Sequence, residues 1–169
     1  MGRLARTLPS SSGLLGLGML TCFVVAAVAA PLLAPHDPWY SARPYIEPST
    51  IHPLGTNDIG QDILSELLYG ARASLIVGFV AALTSLGIGL VVGLVAGYLR
   101  GKVEAALMGL TDVFFVLPGL PLAILLAAYL GPSVTNVILV IAIVSWPSTA
   151  RVVRAQVLTI RELGFVESS

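Results

Sequence analysis

Charged side chains are scarce in this sequence. Asp, Glu, Lys and Arg make up 11% of its 169 residues, whereas 56% of the residues are hydrophobic and the mean hydropathy is +0.93. Soluble domains carry about 25% charged residues, so this composition excludes an ordinary soluble domain and predicts an integral membrane protein. The formal net charge is zero and no basic run occurs, so no nucleic-acid partner is indicated.

Cysteine and catalytic motifs are equally scarce. The one cysteine, Cys22, lies in an apolar run, so no disulfide framework is possible within the chain. An intramembrane enzyme would need a convergent set such as His-Glu-x-x-His or Gly-x-Ser-x-Gly, and neither motif occurs. We therefore predict no catalytic residues and no enzyme activity.

Four apolar segments are long enough to span a bilayer, which takes about 20 residues. They cover residues 13–34, 73–98, 103–130 and 134–153, and they predict an all-α, polytopic membrane helical bundle. Residues 1–12, 35–72 and 154–169 flank these segments. The first segment has an alternative interpretation as a cleaved signal peptide, because Val28-Ala29-Ala30 resembles a cleavage site. We favour a span because the run is longer than a signal-peptide core and further spans follow it.

The basic residues indicate the orientation. If the N-terminus is cytoplasmic, seven basic residues lie inside and two lie outside, which matches the positive-inside rule. The inside residues are Arg3, Arg6, Arg100, Lys102, Arg151, Arg154 and Arg161, and the outside residues are Arg43 and Arg72. We therefore expect residues 1–12 in the cytoplasm and residues 35–72 in the periplasm.

The external stretch is predicted to contain a loop and then a short helix. Four prolines between residues 35 and 48 argue for an extended loop. Thr56 or Asn57 is a suitable helix cap, with Asp58 in the first turn, and Gly70 is a natural stop. Apolar residues recur at helical spacing between these points, which predicts a short external amphipathic helix at the membrane surface.

Small residues recur every four positions in the second apolar segment. On a helix they form one stripe that lets another helix backbone approach closely, so we predict a packing face rather than a pore lining. The stripe consists of Ala81, Ser85, Gly89, Gly93 and Gly97.

The third apolar segment carries an acidic residue, Asp112, and two prolines, Pro118 and Pro121, that should kink or break it. An ionisable residue within a span is a candidate for function. The alternative is a structural hydrogen bond to a neighbouring helix or a shallow position near the headgroups. A proton-coupled secondary carrier that uses Asp112 is another open interpretation. Its only support in the sequence is this one membrane carboxylate, which has no obvious partner.

A metal site on the outer surface is a further possibility. His36, His52, Asp58 and Asp62 offer suitable ligand atoms, but their spacing matches no common site. A solvated acidic face is the simpler interpretation, so the sequence predicts no metal.

The stretch from His52 to Leu75 resembles a signature of the dipeptide/oligopeptide/nickel permeases, HPLGTDxxGRDxxSRxxYGARxSL. These permeases are membrane subunits of bacterial ABC importers fed by a binding protein. The chain departs from the signature at Asn57, where Asp is often found, and at Gln61 and Glu66, where Arg is usual.

A second resemblance lies near the C-terminus. Residues 147–155 resemble the family's WPxYARxVR segment, and residues 160–169 resemble the REREFVEAA segment that begins the cytoplasmic EAA coupling loop. The resemblance implies contacts with the ATPase by Phe165, Val166, Glu167, Ser168 and Ser169. Because the family has six helices and this sequence supplies four, we expect the chain to be a fragment or a truncated product.

The resemblance implies a function as well. The chain would be a permease subunit of an ABC importer for peptides, nickel or other small solutes in the inner membrane. Its partners would be two ABC ATPase subunits, a second permease subunit, an external substrate-binding protein and the lipid bilayer. It would need no cofactor of its own, because the ATP is bound by the partner subunits.

Overall fold

The computed structural model describes residues 11–161, and this part of the chain is all-α. It contains six helices and no β-strand. The helices are α1 (Ser11–Val28), α2 (Ala30–Leu33), α3 (Ile63–Leu99), α4 (Gly101–Val116), α5 (Gly119–Leu130) and α6 (Val134–Arg161). The predicted fold class, an all-α membrane protein, is confirmed.

The chain divides into two compact units, and the boundary lies between Ile76 and Val77, within α3. The first unit contains α1, α2, a loop over residues 34–62 and the first turns of α3. The second contains the rest of α3 with α4, α5 and α6.

The loop of the first unit contains no helix, as the four prolines between residues 35 and 48 predict. It folds back on itself through backbone hydrogen bonds, from Ala42 N to Gly60 O at 2.8 Å and from Thr56 N to Ile46 O at 3.1 Å. Gly60 adopts a φ of +85° and an added β-carbon would collide with the backbone of Ala42. A glycine is therefore required where the two parts of the loop meet.

The predicted helix start at Thr56 or Asn57 is wrong. The side-chain oxygen of Asn57 accepts hydrogen bonds from Ile59 N at 3.0 Å and from Gln61 N at 2.9 Å. This local pairing folds residues 57–61 into a turn instead of a helix. The helix begins at Ile63, and Asp62 caps it by accepting a hydrogen bond from Ser65 N at 2.9 Å.

The predicted stop at Gly70 is also wrong, because α3 runs without interruption from Ile63 to Leu99. The short external helix is thus the first part of a 37-residue helix. One glycine inside a helix costs only about 1 kcal/mol, and strong helix formers flank this position on both sides.

Pro118 breaks the third apolar segment, as predicted, whereas Pro121 lies in the first turn of α5 without breaking it, because the first backbone N–H groups of a helix have no partner within the helix. Leu117 is extended, with φ −72° and ψ 130°, because the proline ring disfavours the helical conformation of the preceding residue. The helices α4 and α5 meet at this point with a bend of 90°. Pro147, in contrast, lies inside α6 without ending it.

Two of the described helices, α3 and α6, are long and apolar enough to cross a membrane, and a third span results if α4 and α5 form one bent segment. The apolar helix α1 is shorter, with 18 residues, and Ala29 separates it from α2. In the most apolar windows of α3 and α6, only 17% and 28% of the residues are buried within the chain. Such exposed apolar helices are suited to lipid or to further helices.

Candidate functional site

The small-residue stripe of α3 lies against α6. A β-carbon added to Gly89 would stand 2.5 Å from Thr149 Cβ, and one added to Gly93 would stand 2.6 Å from both Val153 Cβ and Ala150 O. At Gly97 the added atom would be 2.8 Å from Val157 Cβ. The two helices therefore approach each other along three successive glycines, and we call this contact the glycine seam.

The other two members of the stripe are also buried. Ala81 is 1% exposed and Ser85 is 6% exposed. Both line an open groove of about 320 Å³ in the second unit, together with Ser145 and Thr149 of α6. The small side chains of Ala81 and Ser85 leave part of this space open, and Leu86 of the same helix also lines it.

Charged residues join α4 to α6. Arg151 Nη2 donates a hydrogen bond to Asp112 Oδ1 at 2.7 Å. Arg154 Nε donates to Glu104 Oε1 at 2.7 Å, and Arg154 Nη2 forms an ion pair with the same oxygen. The guanidinium of Arg151 also lies 3.9 Å from the centre of the Phe115 ring.

These two ion pairs line one open pocket of about 400 Å³ between α4 and α6. Asp112 thus has a partner on a neighbouring helix, which agrees with the structural alternative considered for it. Pairing compensates charges that are costly within a membrane segment.

A further contact joins the end of α6 to the end of α3. Arg161 Nη1 donates a hydrogen bond to the backbone oxygen of Tyr98 at 2.8 Å, and its guanidinium lies 5.9 Å from the tyrosine ring centre. The carbonyls in the last turn of a helix have no partner within the helix, so a cation at this position stabilises the end of α3.

The predicted ATPase contacts lie outside the described residues. They are Phe165, Val166, Glu167, Ser168 and Ser169. The helix α6, however, is continuous up to Arg161, directly before this segment.

A buried carboxylate organises the loop of the first unit. Asp62 is 2% exposed, so a solvated acidic face is the wrong interpretation for this residue. Its Oδ1 lies 3.0 Å from His52 Nδ1 and 3.9 Å from His36 Nδ1. Its Oδ2 accepts hydrogen bonds from Ser65 N and from Ser65 Oγ, at 2.9 and 2.8 Å.

The electrostatics favour the ionised form of this carboxylate. Burial by itself would raise the pKa of Asp62. The hydrogen bonds from Ser65 N, His52 and Ser65 Oγ, together with the charge of His36, outweigh burial and lower the pKa below its ordinary value of 3.8.

Of the three departures from the permease signature, Asn57 contacts the other two. Asn57 Nδ2 donates a hydrogen bond to Glu66 Oε2 at 2.8 Å and lies 3.3 Å from Gln61 Oε1. The amide and the carboxylate thus form a local network at the positions where the signature has charged residues.

Two functional candidates were missed from the sequence. Glu104 was overlooked, although it lies eight residues before Asp112, a spacing that places both on one helix face. Thr56 was assigned to a helix cap, but its hydroxyl donates to Arg43 O and accepts from Ile46 N, both at 2.8 Å. No sequence signal identifies these two hydrogen bonds of Thr56, because they depend on how the loop folds back.

Comparisons with known proteins agree on one family. Residues 89–169 match the family model described as "Binding-protein-dependent transport system inner membrane component". The chain is 37% identical over 156 residues to a dipeptide transport system permease protein of Bacillus subtilis (strain 168). The aligned region covers 91% of this chain and 49% of that relative.

Two further relatives have related names. A di/tripeptide transport system permease protein of Pseudomonas aeruginosa (strain UCBPP-PA14) is 37% identical over 91% of this chain and 54% of its own length. An oligopeptide transport system permease protein of Bacillus subtilis (strain 168) is 31% identical over 92% of this chain and 52% of its own length. The chain thus spans about half the length of these relatives.

Proposed function

We propose that this chain belongs to the inner membrane components of binding-protein-dependent transport systems and is a permease subunit of an ABC importer that moves peptides across the inner membrane. The observation that carries this proposal is the similarity to peptide permeases over about nine tenths of the chain. The matched family region begins at Gly89, so it includes all three glycines of the seam and all of α4, α5 and α6.

The energy for transport comes from partner subunits in this proposal. Two ATPase subunits bind and hydrolyse ATP, a second permease subunit completes the membrane part, and an external binding protein delivers the substrate. The description of the matched family, which names a binding-protein-dependent system, supports these partners. The resemblance of residues 160–169 to the start of a coupling loop supports an ATPase contact at Glu167.

The contacts of α6 suggest how motion would pass through this chain. A displacement of the segment after Arg161 would move α6 as a rigid body, because the helix is continuous up to that residue. The glycine seam transfers that movement to α3, and the ion pair of Arg154 with Glu104 transfers it to α4. Close packing favours discrete rearrangements over gradual deformation, so α3, α4 and α6 would shift together.

The orientation we propose has a cytoplasmic N-terminus. The excess of basic residues on one side supports it, and it places the loop with Asp62 in the periplasm. The turn with Arg100 and Lys102 then lies in the cytoplasm, on the same side as the coupling segment.

Peptides are the substrate class that the names of the relatives favour. Nickel or another small solute is the second candidate, from the signature resemblance alone. A proton-coupled carrier is less favoured, because Asp112 is hydrogen bonded to Arg151 and not left available in a proton path.

Cross-linking tests the ATPase contact. In a Cys22→Ser background, we expect Glu167→Cys to form a cross-link with an ATPase subunit in membranes that contain the complete transporter. Thr50→Cys, in the external loop, is the matched control and should form none. A chain that cross-links equally from both positions, or from neither, would contradict the proposed coupling.

A further inference from the structure

We propose that His36, His52 and Asp62 form a binding site for a divalent transition-metal cation such as Zn²⁺. One ligand atom from each residue lies within 4.8 Å of the other two. The sequence contains only two histidines, and both meet at this one carboxylate. The proposal is independent of the transport function, since it concerns the external loop alone.

The distances suit a small cation. Zn²⁺ binds imidazole nitrogen and carboxylate oxygen at about 2.0–2.2 Å, so two atoms that share a tetrahedral ion lie roughly 3.3–3.6 Å apart. The two distances from Asp62 Oδ1, 3.0 Å to His52 Nδ1 and 3.9 Å to His36 Nδ1, bracket this spacing. Binding would therefore require only small adjustments of the two rings around the carboxylate.

His36 supplies the observation that points to a ligand. Its Nδ1 is buried and has no hydrogen-bond partner among residues 11–161, the part of the chain that the structure describes. An unpaired buried nitrogen costs free energy, and a cation bound to its lone pair removes that cost. The neighbouring ring of His52 stacks on it with 4.5 Å between the centroids, so both rings are held at the same carboxylate.

Surrounding hydrogen bonds orient the ligands. Ser65 N and Ser65 Oγ both donate to Asp62 Oδ2, which leaves Oδ1 directed at the histidines. Ser65 Oγ in turn accepts a hydrogen bond from the backbone N–H of His36 at 3.1 Å. Outer contacts of this kind are typical of built metal sites.

Three protein ligands leave a fourth position for water or another donor. The ligands come from the residues after α2, from the middle of the loop and from the cap of α3. A bound ion would therefore fasten these three parts of the first unit together, and the unit would become more stable in its presence.

The test is a metal titration of the purified full chain, with Co²⁺ as a coloured probe and Zn²⁺ as competitor. The chain is purified through an affinity tag that contains no histidine. We expect one equivalent of Co²⁺ to give visible absorption bands that Zn²⁺ removes, and Zn²⁺ to raise the melting temperature. His36→Ala should weaken the binding by roughly tenfold or more, because it removes one ligand. Asp58→Ala, an exposed acidic residue of the same loop, is the control and should bind as the unchanged chain does.

The result is interpretable even if one variant folds poorly. His36→Gln is a second variant, and circular dichroism reports whether either keeps its helices. Loss of the bands in a helical variant supports the site. Absence of saturable binding in the unchanged chain, or binding in both His36 variants as tight as in the unchanged chain, would overturn it. Peptide uptake does not enter this measurement, so failure of the transport proposal would leave its outcome unaffected.

Discussion

Gly93 of α3 lies so close to Val153 of α6 that a β-carbon added to the glycine would stand 2.6 Å from Val153 Cβ. A side chain at position 93 would therefore require α3 and α6 to move apart. The same relationship recurs at Gly89 and Gly97, so the seam extends over two turns of α3.

The first prediction concerns this seam. Gly93→Leu should destabilise the protein by about 1–3 kcal/mol, because the larger side chain forces α3 and α6 apart. Thermal unfolding in detergent measures the effect. Gly87→Leu is a matched control on the same helix, since an added β-carbon there meets nothing within 4 Å. Equal melting temperatures for the two variants would show that the seam is not a packing contact.

The second prediction concerns Asp112 and Arg151, which are joined by a 2.7 Å hydrogen bond. In the complete transporter, Asp112→Arg should lower the uptake rate, because it places two guanidinium groups together. The combined change Asp112→Arg with Arg151→Asp should recover part of the rate, since it restores the pair with its signs exchanged. Initial uptake rates measure both variants. Lys102→Glu controls for the effect of a charge reversal near the start of α4. A double variant with no higher uptake rate than Asp112→Arg alone would argue against the pair.

The third prediction concerns the cap of α3. Asp62→Ala should destabilise the protein by about 0.5–2 kcal/mol, the usual cost of losing a helix cap. The removed carboxylate accepts hydrogen bonds from Ser65 N and Ser65 Oγ. Denaturant unfolding with EDTA present measures this cost without a metal contribution. Asp58→Ala should be within about 0.5 kcal/mol of the unchanged chain, as surface substitutions usually are. The cap has no such role if both variants unfold alike.

The fourth prediction concerns topology. In a Cys22→Ser background, Thr50→Cys should react with an impermeant thiol reagent from the periplasmic side, and Lys102→Cys only after the membrane is opened. Both positions are exposed, so burial does not limit the reaction. Reaction of both cysteines from the same side would rule out the orientation inferred from the basic residues.

Local chemistry explains which parts of the fold were predictable. The break at Pro118 depends on one ring and the residue before it, so the sequence alone predicts it. The stop at Gly70 was wrong, because the cost of one glycine is small compared with the gain of continuing a long apolar helix. The stripe that contains Gly93 has a fixed period, and period alone suggests a packing face.

The external site depends on contacts between distant residues. His36 and Asp62 are 26 positions apart, and they meet only because the loop between them folds back through backbone hydrogen bonds such as Ala42 N to Gly60 O. No spacing rule encodes that path. The partner of Asp112 was equally non-local, since Arg151 lies on another helix and sequence alone gives no pairing between helices.

The most direct test of the central proposal is ATP-driven peptide uptake into proteoliposomes. The complex would be purified through a tag on this chain, together with its ATPases, its second permease subunit and its binding protein. We predict that labelled dipeptide accumulates only when ATP and the binding protein are both present. Uptake that continues without ATP, or a complex that contains no ATPase, would contradict the assignment of this chain to an ABC importer.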